Sequence, residues 1–597
     1  MPLNSRDYDN IATFVVDEQR RRAGVERRKT LEKQWKEIDR QIAMEWDKEL
    51  KQPKWHPKIE LPLQATAFEI DVADAKRLLF PTTEDWWTPH VEFDDEWAER
   101  FREADVIVGV SDPNFRNIEN VDQFTADVVV KGVIDHFHRQ HDFRAAWTLM
   151  LGEAFKYGTY NGRLVMVRAD KFQLDYRGVF AKGELIPRLA PVSVKNLYLD
   201  DAAEFVLFEG LEIAPSFIRR FWMRAASMRM AAATAPEGSG WLKAQVKRLE
   251  GKGSSATTPG GSEKKDHTEI LEFEGDLFVP RSQGDLFLPN RTVTVAVDSG
   301  GPRTIRIRES PFDFRSYISG NYQKDQIDSP YGNSPLLKGR PLQTLAVFAT
   351  NKMTAAATIN VQPPVEYDDD DLALRADGGP ELEPGAMFPT SNPGSIRPIP
   401  VGDPDKLQSV LLIALKMYED LTGATEPRKG GELKSHTTAF AADVAGSRGL
   451  LRPEEFVENI EQGPMRNWLY MYYEAIKKTL KNSQSVFINT RGMRTFLKLN
   501  GSILPKNAHF DVHGSLGVIN RRERRQNLLN LITLTANLAP LLRELPPDNP
   551  IAEQLKLIFE EFGIQDAERL TEFRNAVSQG TGQAGPTPPD TTGAEAA

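Results

Sequence analysis

Two stretches of helical periodicity bracket a segment that cannot be helical, and this order constrains the fold more than any other feature of the chain. In residues 331–360, "YGNSPLLKGRPLQTLAVFATNKMTAAATIN", the residues Leu342, Leu345, Ala346, Ala349, Met353 and Ala356 recur at helical spacing and form one apolar stripe. At 1.5 Å per residue this helix runs ~37 Å. Its stripe is rich in small residues, so a neighbouring helix can approach closely. A second helix follows over 403–424. Asp403 and Pro404 mark its start, with Pro at the first position after an N-cap, and Leu407, Val410, Leu411, Ala414, Tyr418 and Leu421 share one face. The intervening segment 361–402 crowds Pro, Gly and acidic residues, which permits short strands and turns only.

The second helix runs into "LTGATEPRKGGELKSHTTAF", Leu421 to Phe440, before helical periodicity resumes. Pro427, Gly430 and Gly431 allow this segment to turn, while Arg428, Lys429, Lys434, Ser435, Thr437 and Thr438 give it cations and hydroxyls. An exposed helix–helix connection is one reading, and brief contact with phosphates is the other. The helix pattern beyond it is expected to bend at Pro453 and again at Gly463–Pro464.

Elsewhere the pattern is mixed. Residues 15–50 read as one long charged helix, whose Arg20, Arg21, Arg22, Arg27, Arg28 and Lys29 either meet phosphates or form a solvated face laced with carboxylates. "AKRLLFPTTEDWWTP" reads as an aromatic core anchor. "TADVVVKGVIDHFHRQHDFRAAWTLMLGEAFKYG" reads as one long helix with a C-terminal glycine cap at Gly158. "GRLVMVR" and "VKNLYLD" predict short strands, and "SFIRRFWMRAASMRMAAA" predicts a helix. "GKGSSATTPGGSEKKD" (251–266) has the composition of a mobile insertion. "TEILEFEGDLFVP", "RTVTVAV" and "RTIRIRE" alternate at period two and are expected to complete a sheet in the same α+β domain. Strands and turns are expected over 485–520, then amphipathic helix, then a disordered tail from Ala576.

Composition removes several classes of function. The 597 residues include no Cys, so neither a disulfide framework nor a thiolate metal site is available. A net charge of −10 argues against a tight grip on nucleic acid. No apolar run approaches the ~20 residues of a membrane span, and the start, "MPLNSRDYDNIATF", lacks a signal-peptide layout, so a soluble cytosolic protein without a membrane partner is expected. No G-x-x-x-x-G-K-[ST] occurs, and "GKGSSATTPGG" has neither its order nor a preceding strand. G-x-S-x-G is absent too. Of His136, His138 and His141, only His138 and His141 share a helix face, and at a spacing other than the i, i+4 of a metal pair, so they read as ordinary helix surface. The run Asp368, Asp369, Asp370 and Asp371 reads as a solvated turn. Neither catalysis, cofactor nor metal is expected.

Taken jointly, the order helix, Pro-rich module, helix, basic loop and long interrupted helix resembles that of the portal (head–tail connector) proteins of tailed bacteriophages, especially those of short-tailed phages. "YGNSPLLKGRPLQTLAVFATNKM", "EDLTGATEPRKGGELKSHTTAFA" and "HFDVHGSLGVINRRERRQNLLNLI" carry the likeness. In the first half, so do "LLFPTTEDWW", "EAFKYGTYNGRLVMV" and "PVSVKNLYLD". It covers most of the chain.

The resemblance implies an α+β portal fold. Its parts would be an N-terminal helix and wing over 1–330, a first stem helix over 331–360, a clip over 361–402, and a second stem helix over 403–424. A tunnel loop over 425–438, a long kinked helix and wing return over 439–545, a short crown over 546–575 and a tail over 576–597 would follow. It further implies a homo-oligomeric ring of twelve subunits at one vertex of the virion capsid, assembled in the host cytoplasm. The ring would pass double-stranded DNA during packaging and ejection. It would contact the major capsid or scaffold protein, and dock the terminase large subunit and then a tail adaptor protein. On this reading Arg428, Lys429, Gly430, Gly431, Lys434, Ser435, Thr437 and Thr438 face the channel. Leu342, Ala346, Ala349, Met353, Val410, Leu411 and Ala414 form the stem interface, and Asp368 to Asp371 with Arg397 belong to the clip. The competing classes are a DNA-processing packaging enzyme, which would need the phosphate loop or carboxylate–histidine set missing here, and a minor capsid or scaffold-like interaction protein.

Overall fold

The computed structural model of the protein describes residues 3–47, 53–81, 86–92, 94–103, 107–108, 123–140, 142–168, 185–200, 216–236, 238–249, 267–279, 284–324, 329–363, 365–368, 384–385, 387–390, 404–424, 428, 452–480, 484–490 and 493–514. The chain divides into Met1–Gly514 and Ser515–Ala597, and all described residues belong to the first unit. The crown and tail expected after 545, and the insertion expected over 251–266, therefore lie outside the described residues.

The single charged helix expected over 15–50 is two helices, α1 (Ser5–Gly24) and α2 (Glu26–Ile42). Asn4 starts the first: its side chain accepts from the Asp7 N–H while the Asp7 carboxylate accepts from the Asn4 N–H, each at 2.9 Å, a reciprocal capping box. Val25, with ψ 129°, breaks the helical path between them. The basic cluster fits neither of its two sequence readings in full. Arg20 and Lys29 do stay in water, but the Arg22 and Arg28 side chains are buried. Arg22 donates to the Tyr198 and Ser216 carbonyls and to Ser216 Oγ, and pairs with Glu18 and Asp200. Arg28 donates to Glu32, to Tyr331 Oη at 2.7 Å, and to the carbonyls of Val194, Lys195 and Leu197. Its guanidinium also lies 4.9 Å from the ring centres of both Trp35 and Tyr198.

After α3 (Leu63–Leu79) come β1 (Trp87–Val91), α4 (Asp95–Glu103), β2 (Ile107–Val108), α5 (Gln123–Gln140) and α6 (Phe143–Tyr157). The long helix expected up to Gly158 is thus interrupted. Asp142 takes a left-handed conformation (φ 47°), and the break brings the Phe143 ring to 3.9 Å from that of His138. Gly158 does cap α6. Its φ of 75° suits glycine, its N–H reaches the Ala154 carbonyl at 2.9 Å, and a Cβ there would lie 2.5 Å from the Gly332 carbonyl oxygen.

The next elements are β3 (Thr159–Arg168), β4 (Leu185–Val192), β5 (Leu197–Tyr198), β6 (Phe217–Arg224), α7 (Ala225–Thr234), α8 (Lys243–Lys247), β7 (His267–Val279), β8 (Leu286–Asp298), β9 (Gly301–Glu309) and β10 (Tyr317–Asn321). Half of the helix expected in "SFIRRFWMRAASMRMAAA" is β6, because its aromatic and β-branched residues pair antiparallel with β7, Ile218 opposite Phe273. Strands β5 to β9 form one antiparallel sheet in sequence order. Ile11 and Val15 of α1 cover one face, against Leu271, Phe273, Val293 and Val295, and Met228 and Val246 cover the other, against Ile270 and Ala296.

The bracketing helices are α9 (Pro335–Val361) and α10 (Pro404–Thr422), close to their expected bounds. Ser334 caps α9 through its side chain, which accepts from the Leu337 N–H at 3.1 Å, with Pro335 next. Two short strands, β11 (Val365–Asp368) and β12 (Met387–Thr390), pair in parallel between the two helices in sequence. Helix α11 (452–460) then passes through a π-helical turn, Glu461–Met465, into α12 (Arg466–Thr479). That irregularity falls on Gly463–Pro464, where Pro removes a donor from the helical ladder. Strands β13 (Gln484–Thr490), β14 (Met493–Leu499) and β15 (Ala508–Val512) return the chain to its beginning, since β14 pairs with β2 and β15 with β1. The described unit is α+β.

Removing Arg28 leaves three carbonyls, a phenol and Glu32 without their donor, so Arg28→Met is expected to destabilise the chain by about 3–5 kcal/mol. Arg28→Lys should recover only part of this, because an ammonium cannot reproduce the fork. Arg20→Ala, at an exposed site, should stay within about 0.5 kcal/mol. Urea denaturation of the three variants checks the ranking, and equal midpoints for the Arg28 and Arg20 variants would refute it.

Candidate functional site

The α9–α10 pair is antiparallel: the first turn of α9 lies against the last turns of α10. Gly339 makes the approach possible, since a Cβ there would sit 2.9 Å from Cε2 of Tyr418. On another side α9 is seated on the segment before α3. Asn351 exchanges two 2.8 Å hydrogen bonds with the Ile59 backbone, and Gln64 Nε2 donates to the Leu336 carbonyl at 3.0 Å.

This packing corrects the stem interface read from the sequence. Ala346, Ala349 and Ala414 are fully enclosed by their own chain, so they present no face to a neighbour. Leu342, Met353 and Leu411 are half-buried, and of the expected set only Val410 reaches the exposed class. The large apolar residues that do face outward are Leu345, Phe348, Leu412, Ile413 and Met417, 41–60% exposed. Of the stripes read from periodicity, Ala346, Ala349, Ala356, Ala414 and Tyr418 are buried, but Leu345 and Val410 face outward, and periodicity could not say that the same chain covers the buried part.

Of the residues expected to face a channel, Arg428 lies among the described ones, and its position is a second correction. The Arg428 side chain is 4% exposed. Its Nη2 donates to Asp71 Oδ1 and Asp74 Oδ2, each at 2.8 Å, Nε donates to Asp74 Oδ2 at 3.1 Å, and Nη1 donates to the Gly423 carbonyl at 2.9 Å. Gly423, with φ 71°, is the residue past the end of α10, and its own N–H reaches the Glu419 carbonyl. Arg428 therefore joins the C-terminus of α10, where carbonyls are left without helical partners, to two carboxylates on α3. Lys429, Gly430, Gly431, Lys434, Ser435, Thr437 and Thr438 lie outside the described residues, as do Asp369, Asp370, Asp371 and Arg397. Asp368 ends β11.

Burial pushes the Asp71 carboxyl up to about 6. Arg428 pulls it back, Asp74 pushes it further up, and Arg452 pulls it down. Beside this cluster opens a cavity of about 560 Å³, bounded by Tyr160, Tyr322, Pro335, Leu421, Arg452 and Phe456 among others. The Arg452 guanidinium donates to the Leu421 carbonyl, two residues before the Gly423 carbonyl that Arg428 holds.

His138 is a core group rather than helix surface, His136 is half-buried, and His141 lies outside the described residues. His138 is buried, stacks on Phe143 and Tyr472, and lies 3.4 Å from Trp468 Nε1, while burial and then Arg139 hold His136 down to about 4. Among the described residues no group of three or more His, Asp or Glu could hold a metal ion, and no helix is long and apolar enough to cross a membrane. Compared with models of known protein families and with curated proteins, the chain matches none.

Asp71 gives a pH signature whose sign can be worked out. Its folded value, about 6, lies above its ordinary 3.8, so the folded chain holds that proton more tightly. This group's contribution is complete below about pH 4 and is lost as pH rises through 6. Two units correspond to about 3 kcal/mol. Glu18 acts oppositely: hydrogen bonds from Arg21 first and then Arg22 hold it near 2, outweighing its partial burial, so its stabilisation fades in acid. Wild type and Asp71→Asn share that second effect, so their stability difference isolates Asp71. It should shift toward wild type by about 2–3 kcal/mol between pH 7.5 and 4.5, and a flat difference would remove the assignment.

Proposed function

We propose that the protein is a ring-forming portal of a tailed bacteriophage, seated at one capsid vertex, through which double-stranded DNA enters and leaves. The observation that carries this reading is the outward apolar flank on each of two antiparallel helices whose inner faces are already complete. Leu345 and Phe348 share one side of α9, and Val410, Ile413 and Met417 one side of α10. Large apolar residues left in water on neighbouring helices mark a surface that another protein covers. Two different flanks on one subunit suit a head-to-tail contact, which closes into a ring when repeated by rotation. Each side chain is already half-buried, so covering it adds about 1 kcal/mol. Such interfaces are weak singly and gain stability from closure.

The other parts follow as roles for what stands around this pair. The β11–β12 module at its far end would dock the terminase motor and later the tail adaptor. The acidic balance of the chain lets DNA slide without a tight grip. Because Arg428 is occupied by Asp71 and Asp74, the phosphate contacts of the loop would fall to Lys429 and Lys434. No catalytic step belongs to this reading.

Light scattering and negative-stain imaging test it. Phe348→Asp alone, and Ile413→Asp with Met417→Asp, should give folded subunits that no longer form rings. Ala346→Asp should instead lower the melting temperature of the subunit, because it buries a charge inside the pair. Rings that survive the outward substitutions, or a wild-type chain that never forms rings, would defeat the proposal.

A further inference from the structure

The two ends of the segment 429–451 are tied to one place. Arg428 at one end donates to the Gly423 carbonyl, and Arg452 at the other donates to the Leu421 carbonyl. Both carbonyls belong to the C-terminal end of α10, which carries the negative end of the helix dipole. Arg428 alone continues across to α3, through Asp71 and Asp74. Next to this bridge a pocket opens to solvent. The 560 Å³ cavity is walled by the start of α9 (Pro335, Lys338), the end of α10 (Leu421), the body of α11 (Arg452, Phe456) and Pro464 of the π turn. Well-packed interiors resist gradual deformation. A junction of helix ends with an open pocket, an irregular helical turn and a polar bridge of its own is where the end of α10 can shift while Asn351 and Gln64 keep α9 seated.

We infer that the bridge from Arg428 to Asp71 and Asp74 is a latch that holds the C-terminal end of α10 to the α3 body, and that it responds to pH through Asp71. The groups that face Asp71 are Asp74 on its own helix, Arg428, and Arg452 of α11. Tyr322 after β10 and Tyr418 of α10 in turn sense its charge. Asp71 is the titrating member because burial disfavours its charge while Arg428 supports it. Protonating it relieves that burial and so favours the fold as a whole. It also withdraws one of the two carboxylates that hold Arg428, so the end of α10 loosens locally. Global stability and local opening are separate quantities and move oppositely here. The inference rests on the portal reading only for its consequence: in a ring, the latch would set how firmly the end of α10 is held.

Hydrogen exchange of the full chain, read by mass spectrometry and corrected for the intrinsic pH dependence, tests the latch. Wild-type peptides spanning 418–424 should exchange at least about fivefold faster at pH 5.5 than at pH 7.5, with β7–β8 peptides unchanged. Asp71→Asn should be fast at both pH values. Arg428→Met should be about tenfold faster at pH 7.5, and adding Asp71→Asn to it should add nothing, as expected for members of one unit. If Arg428→Met does not fold, the wild-type pH comparison and Asp71→Asn decide. Unchanged 418–424 exchange in Asp71→Asn, or equal acceleration in β7–β8, would overturn the latch. Light scattering on the same samples separates the two ideas. Rings without the pH response refute the latch and leave the portal reading standing, and the response in a chain that forms no rings does the reverse.

Discussion

Arg28 holds five acceptors at once, and they come from three distant stretches of chain: Glu32 beside it, the carbonyls of 194–197, and Tyr331. Tyr331 leads within three residues to Ser334, the cap of α9. One side chain thus fixes where the N-terminal helices lie, where the chain enters β5, and where the long helix starts. Arginine suits the task because it stays charged when buried and presents five donors in a rigid fork. A buried guanidinium with any acceptor missing is heavily destabilising, so this site admits one arrangement of its partners. Arg22 does the same for Tyr198 and Ser216, and Arg163, against Glu272 and Glu274, ties β3 to β7.

That use of arginine explains which features were legible in the sequence. Period-two alternation located β7, β8 and β9, and the spacing of apolar residues located α9 and α10, because both patterns report which face leaves water. Gly158 announced its cap for a similar reason, since few residues accept that conformation. The roles of Arg22, Arg28 and Arg428 were not legible. A cation in a sequence looks alike whether it will meet phosphate, water or a cage of carbonyls, and the cage is assembled from residues over a hundred positions away. The break at Asp142 was hidden too, because it depends on a non-glycine residue taking a left-handed conformation for the sake of the Phe143–His138 stack. In β6, pairing with β7 overrode a helical-looking composition.

The helix pair shows a division that periodicity alone could not assign. Ala346, Ala349 and Ala414 are buried, and Gly339 lets the Tyr418 ring come close. The larger Leu345, Phe348, Ile413 and Met417 point away. Large residues are buried in the pair as well, Leu336, Val347 and Ile359 of α9 and Tyr418 of α10, so the exposed Leu345, Phe348, Ile413 and Met417 are a second apolar side rather than the ordinary polar face of a surface helix. A subunit built this way is complete along its seam and incomplete along its flanks. The proposed ring follows from those exposed flanks more directly than from the basic loop.

The same division bears on how force would pass through such a ring. Flanks covered by neighbours would tie the α9–α10 pairs to one another, while Asn351, Gln64 and Arg428 tie each pair to its own subunit. Asn351 and Gln64 bond to backbone groups that do not titrate, and they hold α9. Arg428 holds α10 through carboxylates, one of which lies at the edge of protonation, and it does so beside a pocket of about 560 Å³. Of the two helices, α10 is therefore the one whose attachment can be altered without disturbing the seat of the other. A change at Asp71 would be felt first at Gly423 and the C-terminal end of α10, to which Arg428 is bonded.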